Sequence, residues 1–123
     1  TRIAELAARF TRLARPLLAI RERLVDLKPI AENHFYHPSQ QGSWSIKAVL
    51  PAMVPNLSYD ALDGVQNGGL AVDAYLEAIA PETAADRRDE IERQLTAYCA
   101  LDTLAMVKIW EVMTGRHNFA IAS

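Results

Sequence analysis

The stretch DEIERQLTAYCALDTLAMVKIWEVM, residues 89–113, decides the fold. Within it Ile91, Leu95, Tyr98, Met106, Ile109 and Met113 recur at helical spacing, which predicts one long helix with a single apolar face. Asp102 falls in the middle of that face. A carboxylate on a core-facing stripe must be neutralised, hydrogen-bonded or bound to a cation. Tyr98 stands one turn earlier, so a phenol and a carboxylate at i and i+4 project side by side.

Working outward, Thr83 or Asp86 is the expected N-cap of this helix, and Gly115 its end, with Arg116 and His117 beyond. Upstream, residues 70–79 read as a helix with Val72, Tyr75, Leu76 and Ile79 inward, closed near Pro81 and preceded by an Asn67-Gly68-Gly69 turn. Ser43 or Ser45 caps a helix carrying Ile46, Val49 and Leu50, which Pro51 and Pro55 are expected to bound. The first amphipathic helix covers residues 2–15, with Ile3, Leu6, Ala7, Phe10, Leu13 and Ala14 inward, and is expected to break at Pro16. A second helix follows over residues 17–23. The run Leu24, Val25, Asp26, Leu27 fits a short buried strand or a helix end equally well. Pro29 opens a short helix to Phe35, and the composition of Ser39, Gln40, Gln41 and Gly42 marks a loop. With no repeat and no long linker, residues 1–123 read as a single domain or part of one, mainly α.

A chain of 13.7 kDa that is half apolar can bury an ordinary core. The net charge of -2 and pI near 5.9 give no general attraction to nucleic acid, and they leave a local basic groove open. The single Cys99 excludes an internal disulfide framework, which fits a reducing, cytoplasmic setting. There is no apolar run of about 18 residues for a membrane span and no signal-peptide layout at the N-terminus. The sequence starts at Thr1 already in a helical pattern, so the expectation is the C-terminal piece of a longer protein.

Tyr98 and Asp102 admit two readings from residue types alone. In one, the carboxylate holds a divalent cation and the phenol orients water for attack, with magnesium suited by its preference for oxygen ligands. In the other, Asp102 caps a fresh helix beginning at Thr103 and Tyr98 fills the core. The interval is not unique, since Tyr59 and Asp63 repeat it in a stretch with no other mark of a site. His34 and His37 flank Tyr36 without a third ligand nearby, which fits a structural aromatic loop better than a metal motif. Lys47 reads as a phosphate contact or, more commonly, a solvated lysine. Cys99, with no adjacent histidine, reads as a buried inert thiol. The mixed charges of Asp86, Arg87, Arg88, Asp89, Glu90, Glu92 and Arg93 fit a solvated helix face.

Three segments together carry a resemblance: Tyr36-His37-Pro38, Gly42-Ser43-Trp44-Ser45-Ile46-Lys47-Ala48-Val49-Leu50-Pro51, and Tyr98-Cys99-Ala100-Leu101-Asp102-Thr103. They resemble the signature of a bacterial family catalogued only as a domain of unknown function. That family in turn resembles the C-terminal half of a DEDD-type 3′-5′ exonuclease of the tyrosine subclass, on a ribonuclease H-like fold.

In that superfamily four acidic residues from three motifs hold two divalent metals, and the third motif is Tyr-x-x-x-Asp on a late helix. The resemblance therefore implies that Asp102 is a ligand for magnesium or manganese and that Tyr98 is the catalytic residue orienting the attacking water. It implies no catalytic role for Asp26, although Val25-Asp26-Leu27 resembles the strand after the second motif. The chain departs from the pattern in having neither the Asp-x-Glu of the first motif nor the acid of the second. Those would lie upstream, in a missing N-terminal half of the same domain, within an α/β parent that acts on nucleic acid. The isolated chain is then expected to be inactive, and its apolar face to invite self-association. A rival reading is a helical protein-interaction module in which Asp102 is structural and residues 36–51 dock a partner.

Overall fold

A computed structural model describes residues 1–116, and the expectation that His117 follows the last helix lies outside the described residues. The chain is mainly helical, with no strand among the described residues. It divides into two compact units, Thr1–Ile30 and the remainder from Ala31.

In the first unit, α1 (Arg2–Arg9) and α2 (Ala14–Arg23) pack on one another across a 3-10 turn at Thr11–Leu13. The break therefore comes at Phe10, which leaves helical geometry, and not at Pro16. Pro16 is the third residue of α2, where its missing N–H would have had no intrahelical partner. Of the two alternatives for residues 24–27, the strand is absent: Leu24 and Val25 are exposed, and Leu27 begins α3 (Leu27–His34). Asp26 Oδ1 accepts the Lys28 N–H at 2.9 Å, so this aspartate serves as a cap.

In the second unit, the loop after α3 is held from within. Gln40 is buried; its Oε1 accepts the His37 N–H at 2.8 Å and its Nε2 donates to the Ser43 carbonyl at 3.2 Å. Gln41 and Gly42 follow in left-handed backbone geometry. Helix α4 (Ile46–Met53) starts from Ser45, whose carbonyl accepts from Ala48 and Val49 although its side chain makes no capping bond. Pro51 lies inside α4 and does not bound it; the helix ends ahead of Pro55, and Pro51 leaves the Lys47 carbonyl without a helical donor.

Helix α5 (Gly68–Ile79) is capped by Asn67, whose Oδ1 accepts the Leu70 N–H at 2.9 Å. Its burial inverts the expected face. Ala71, Ala74 and Ala78 lie inward, packed with Val65, Ile91, Leu95 and Tyr98, while Val72, Tyr75, Leu76 and Ile79 are exposed. Small side chains let two helix backbones approach closely, and here that close contact uses the alanine side.

Helix α6 (Ala85–Thr114) is the spine, a single helix of 30 residues and roughly 45 Å long at 1.5 Å per residue. Neither Thr83 nor Asp86 caps it. Its N-cap is Ala84, the Thr83 hydroxyl donates to the Glu77 carbonyl at 2.6 Å, and Asp86 sits in the first turn, where the helix dipole favours an acid. Gly115 ends it at φ 66, as the sequence indicates. Both α4 and α5 pack on α6. Along α6, Ile91, Ala105 and Ile109 are buried, whereas Met106, expected inward, is exposed. The turn between α5 and α6 is clamped by Arg87, which forks onto Glu77 at 2.7 and 3.0 Å and reaches Glu90 at 3.0 Å. These groups are well exposed, so the fork fixes geometry more than it adds stability.

Candidate functional site

Helix α6 runs through Asp102 without interruption, so this residue does not start a fresh helix at Thr103. Its carboxylate is spent differently. Tyr59 lies in the 3-10 turn Tyr59–Ala61, opened by Ser58, whose Oγ accepts the Asp60 N–H at 3.2 Å. That turn puts Tyr59 in the core, only 2 % exposed, and its hydroxyl donates to Asp102 Oδ1 at 2.5 Å. The Tyr59 and Tyr98 rings meet at 5.9 Å between centroids, tilted by 55°. Two phenols and one carboxylate thus converge on the middle of α6.

Electrostatics agree with the geometry. Burial, then the hydrogen bond to Asp102, then the negative charges nearby raise the Tyr59 hydroxyl far above the ordinary tyrosine range. Tyr98 is raised as well, first by burial and then by the Asp102 charge and hydrogen bonding to it. Asp102 and Tyr98 therefore share a side of α6, as their i, i+4 spacing requires. The start of α5 borders the pair: a Cβ on Gly68 would lie 3.9 Å from the Tyr98 hydroxyl.

The other candidates lie elsewhere or have structural partners. The exposed Lys47 holds its ammonium 5.9 Å from the centroid of the Tyr59 ring, a cation–π distance. His37 caps a 3-10 turn at Pro38–Gln40, with Nδ1 2.7 Å from Ser39 Oγ and accepting the Ser39 N–H at 3.2 Å. The aromatic loop reading holds there, with Tyr36 and Trp44 rings 6.3 Å apart. Cys99 is exposed, contrary to expectation, because the residue after Tyr98 is turned about 100° around the helix from the buried stripe. Asp63, the partner of Tyr59 in the repeated interval, is exposed and takes no part. Tyr59 is the residue that sequence reading missed, and that interval was its one signal.

Among the described residues no group of three His, Cys, Asp or Glu side chains converges to hold a metal ion. One carboxylate already accepting a hydrogen bond from a phenol does not fit a divalent cation by itself, since magnesium needs several oxygen ligands. What the arrangement does supply is an oriented carboxylate with a second phenol beside it.

A family model described as a domain of unknown function (DUF2779) matches residues 1–45. The match covers α1 to α3 and the aromatic loop and ends ahead of Tyr59, Tyr98 and Asp102. No curated protein and no solved structure matches the chain. No described helix is long and apolar enough to cross a membrane.

The raised Tyr59 hydroxyl has a measurable consequence. A proton held more tightly in the folded state stabilises the fold fully below the ordinary tyrosine value near 10, and that contribution is lost as pH climbs toward the folded value. Tyrosinate absorbance followed through alkaline pH should therefore show a late-rising component that Tyr59→Phe reduces, leaving the share of Tyr98. The variant should also lose stability less steeply above pH 10 than the parent sequence. A late component of unchanged amplitude after Tyr59→Phe would show that this hydroxyl is not a protected one.

Proposed function

We propose that this chain is the helical C-terminal portion of a metal-dependent 3′-5′ exonuclease-like domain of ribonuclease H-like fold. The complete domain hydrolyses nucleic-acid phosphodiester bonds, and the piece described is inactive alone. The observation that carries this reading is that Tyr98 and Asp102 share one side of an unbroken helix and that the aspartate is not consumed as a helix cap. Asp102 is the acid contributed by this portion, and the remaining acids belong to other segments of a longer parent. Magnesium or manganese is the cofactor of that parent, with nucleic acid its substrate and the cytoplasm its location. Self-association of the chain over its exposed apolar surface is proposed beside it and does not depend on it.

A second reading has its own support. Tyr59 satisfies Asp102 within the fold, and α5 turns its bulkiest residues outward. Both fit a helical interaction module in which Asp102 is structural.

The test compares the isolated chain with its full-length parent on a labelled single-stranded oligonucleotide with magnesium. The expected result is no hydrolysis by the chain and shortening from the 3′ end by the parent. A parent inactive on both DNA and RNA would shift the assignment to the interaction module.

A further inference from the structure

We infer that two copies of this chain associate by seating the basic hairpin of one, Thr1–Ile30, on the outward apolar face of α5 in the other. The α5 face is a defined stripe. Val72, Tyr75, Leu76 and Ile79 fall at i, i+3, i+4 and i+7 and are 58, 56, 55 and 58 % exposed, while the alanine side of the same helix is already used against α6. Four large apolar side chains on one helical face form the kind of contiguous patch that marks an interaction surface.

The hairpin needs such a surface. Its helices are 8 and 10 residues long, shorter than the roughly 12–15 residues at which isolated helices become even marginally stable. Ala7 is the one core residue in Thr1–Ile30, whereas Phe10, Leu13, Ile20 and Leu24 are all exposed. Helices this short gain most of their stability from packing an apolar face, and the hairpin's internal contact supplies little.

Charge selects the pairing. Residues 1–30 carry seven Lys and Arg against three Asp and Glu, whereas residues 59–92 carry nine Asp and Glu against two Arg. Helix α5 itself contains Asp73 and Glu77 and no Lys or Arg. Two α5 faces brought together would set acid beside acid, which disfavours that arrangement. A hairpin bearing Arg12, Arg15, Arg21 and Arg23 brings opposite charge to the acidic border of the stripe. The contact joins unlike surfaces of identical chains, and a two-fold pairing in which each copy's hairpin covers the other's α5 face closes it at the dimer. It stands apart from the nuclease reading, because neither surface includes Tyr98 or Asp102.

The decisive experiment is sedimentation equilibrium on the chain, on Leu76→Glu, on Ile20→Glu, and on an equimolar mixture of the two variants. The chain should dimerise, more weakly as salt rises, and each variant should associate about tenfold to a hundredfold less tightly. The mixture should recover a dimer, because the Leu76→Glu copy keeps an intact hairpin and the Ile20→Glu copy keeps an intact α5 face. Both sites are exposed, so far-UV circular dichroism should be unchanged; the uncharged Val72→Ser/Leu76→Ser variant repeats the test should either glutamate disturb folding. A chain that stays monomeric at its highest soluble concentration would overturn the inference. So would an Ile20→Glu variant that dimerises as tightly as the chain, which is the behaviour of α5 pairing with itself, or a mixture that fails to restore the dimer.

Discussion

Asp102→Ala, placed in the full-length parent, should bring magnesium-dependent cleavage down to the uncatalysed background, and Asp102→Asn should do the same while leaving the fold intact. The pair separates chemistry from architecture. Alanine removes both the charge and the acceptor for the buried Tyr59 hydroxyl, which then lies unsatisfied at a cost of about 1–3 kcal/mol in stability. Asparagine keeps an acceptor oxygen of the same shape and loses only the anionic charge. If Asp102 serves the reaction, both variants are inactive and only alanine lowers the melting temperature. If Asp102 is structural, asparagine leaves both cleavage and melting temperature unchanged. Tyr98→Phe, which deletes one hydroxyl, should slow the parent by about 10²-fold or more without loss of fold. Unchanged cleavage after Asp102→Ala would remove this residue from the site.

The second large effect lies in the core. Ile91 is fully buried between Val65 and Ala74, at the point where α5 meets α6. Ile91→Ala should destabilise the second unit by about 2–5 kcal/mol, since the lost transfer energy adds to a cavity that a helix of this length cannot close. Against a total of about 5–15 kcal/mol for a typical domain, that is enough to populate the unfolded state at modest temperature. Urea titration should show the midpoint falling. Leu76→Ala on the outward side of α5 is the control, with a shift near zero when both are measured at a concentration low enough to keep the chain monomeric. Equal shifts for the two substitutions would mean that α5 is turned the other way.

That control touches what the sequence concealed. Helix α6 was legible because Ile91, Leu95 and Tyr98 keep a helical period and Gly115 gives an unambiguous stop. Its start was misread, since Thr83 and Asp86 are both good caps and the Thr83 hydroxyl is drawn away to the Glu77 carbonyl. The α5 face was misread for a different reason. Hydrophobic patterning ranks Val72, Tyr75, Leu76 and Ile79 above Ala71, Ala74 and Ala78, yet close packing of two helices is decided by size. Pro16 and Pro51 misled in the same way, because a proline in the first turn or in a helix held by its neighbours does not end it. The position of Tyr59 could not be read from periodicity at all. Its partner lies 43 residues away, and only the folded chain brings the two together.

The alanine contact between α5 and α6 also bears on motion. Methyl groups bury little area of their own, so what α5 shields from water is chiefly the larger side chains beneath it, Ile91, Leu95 and Tyr98. An element whose departure uncovers Ile91 opens only at a free energy close to that of unfolding its unit. Its amides are then expected to exchange with solvent through the same opening that exposes Ile91, which denaturant promotes in proportion to the surface uncovered. The helix that presents the most large apolar residues to solvent is thus also one that seals the core of its unit.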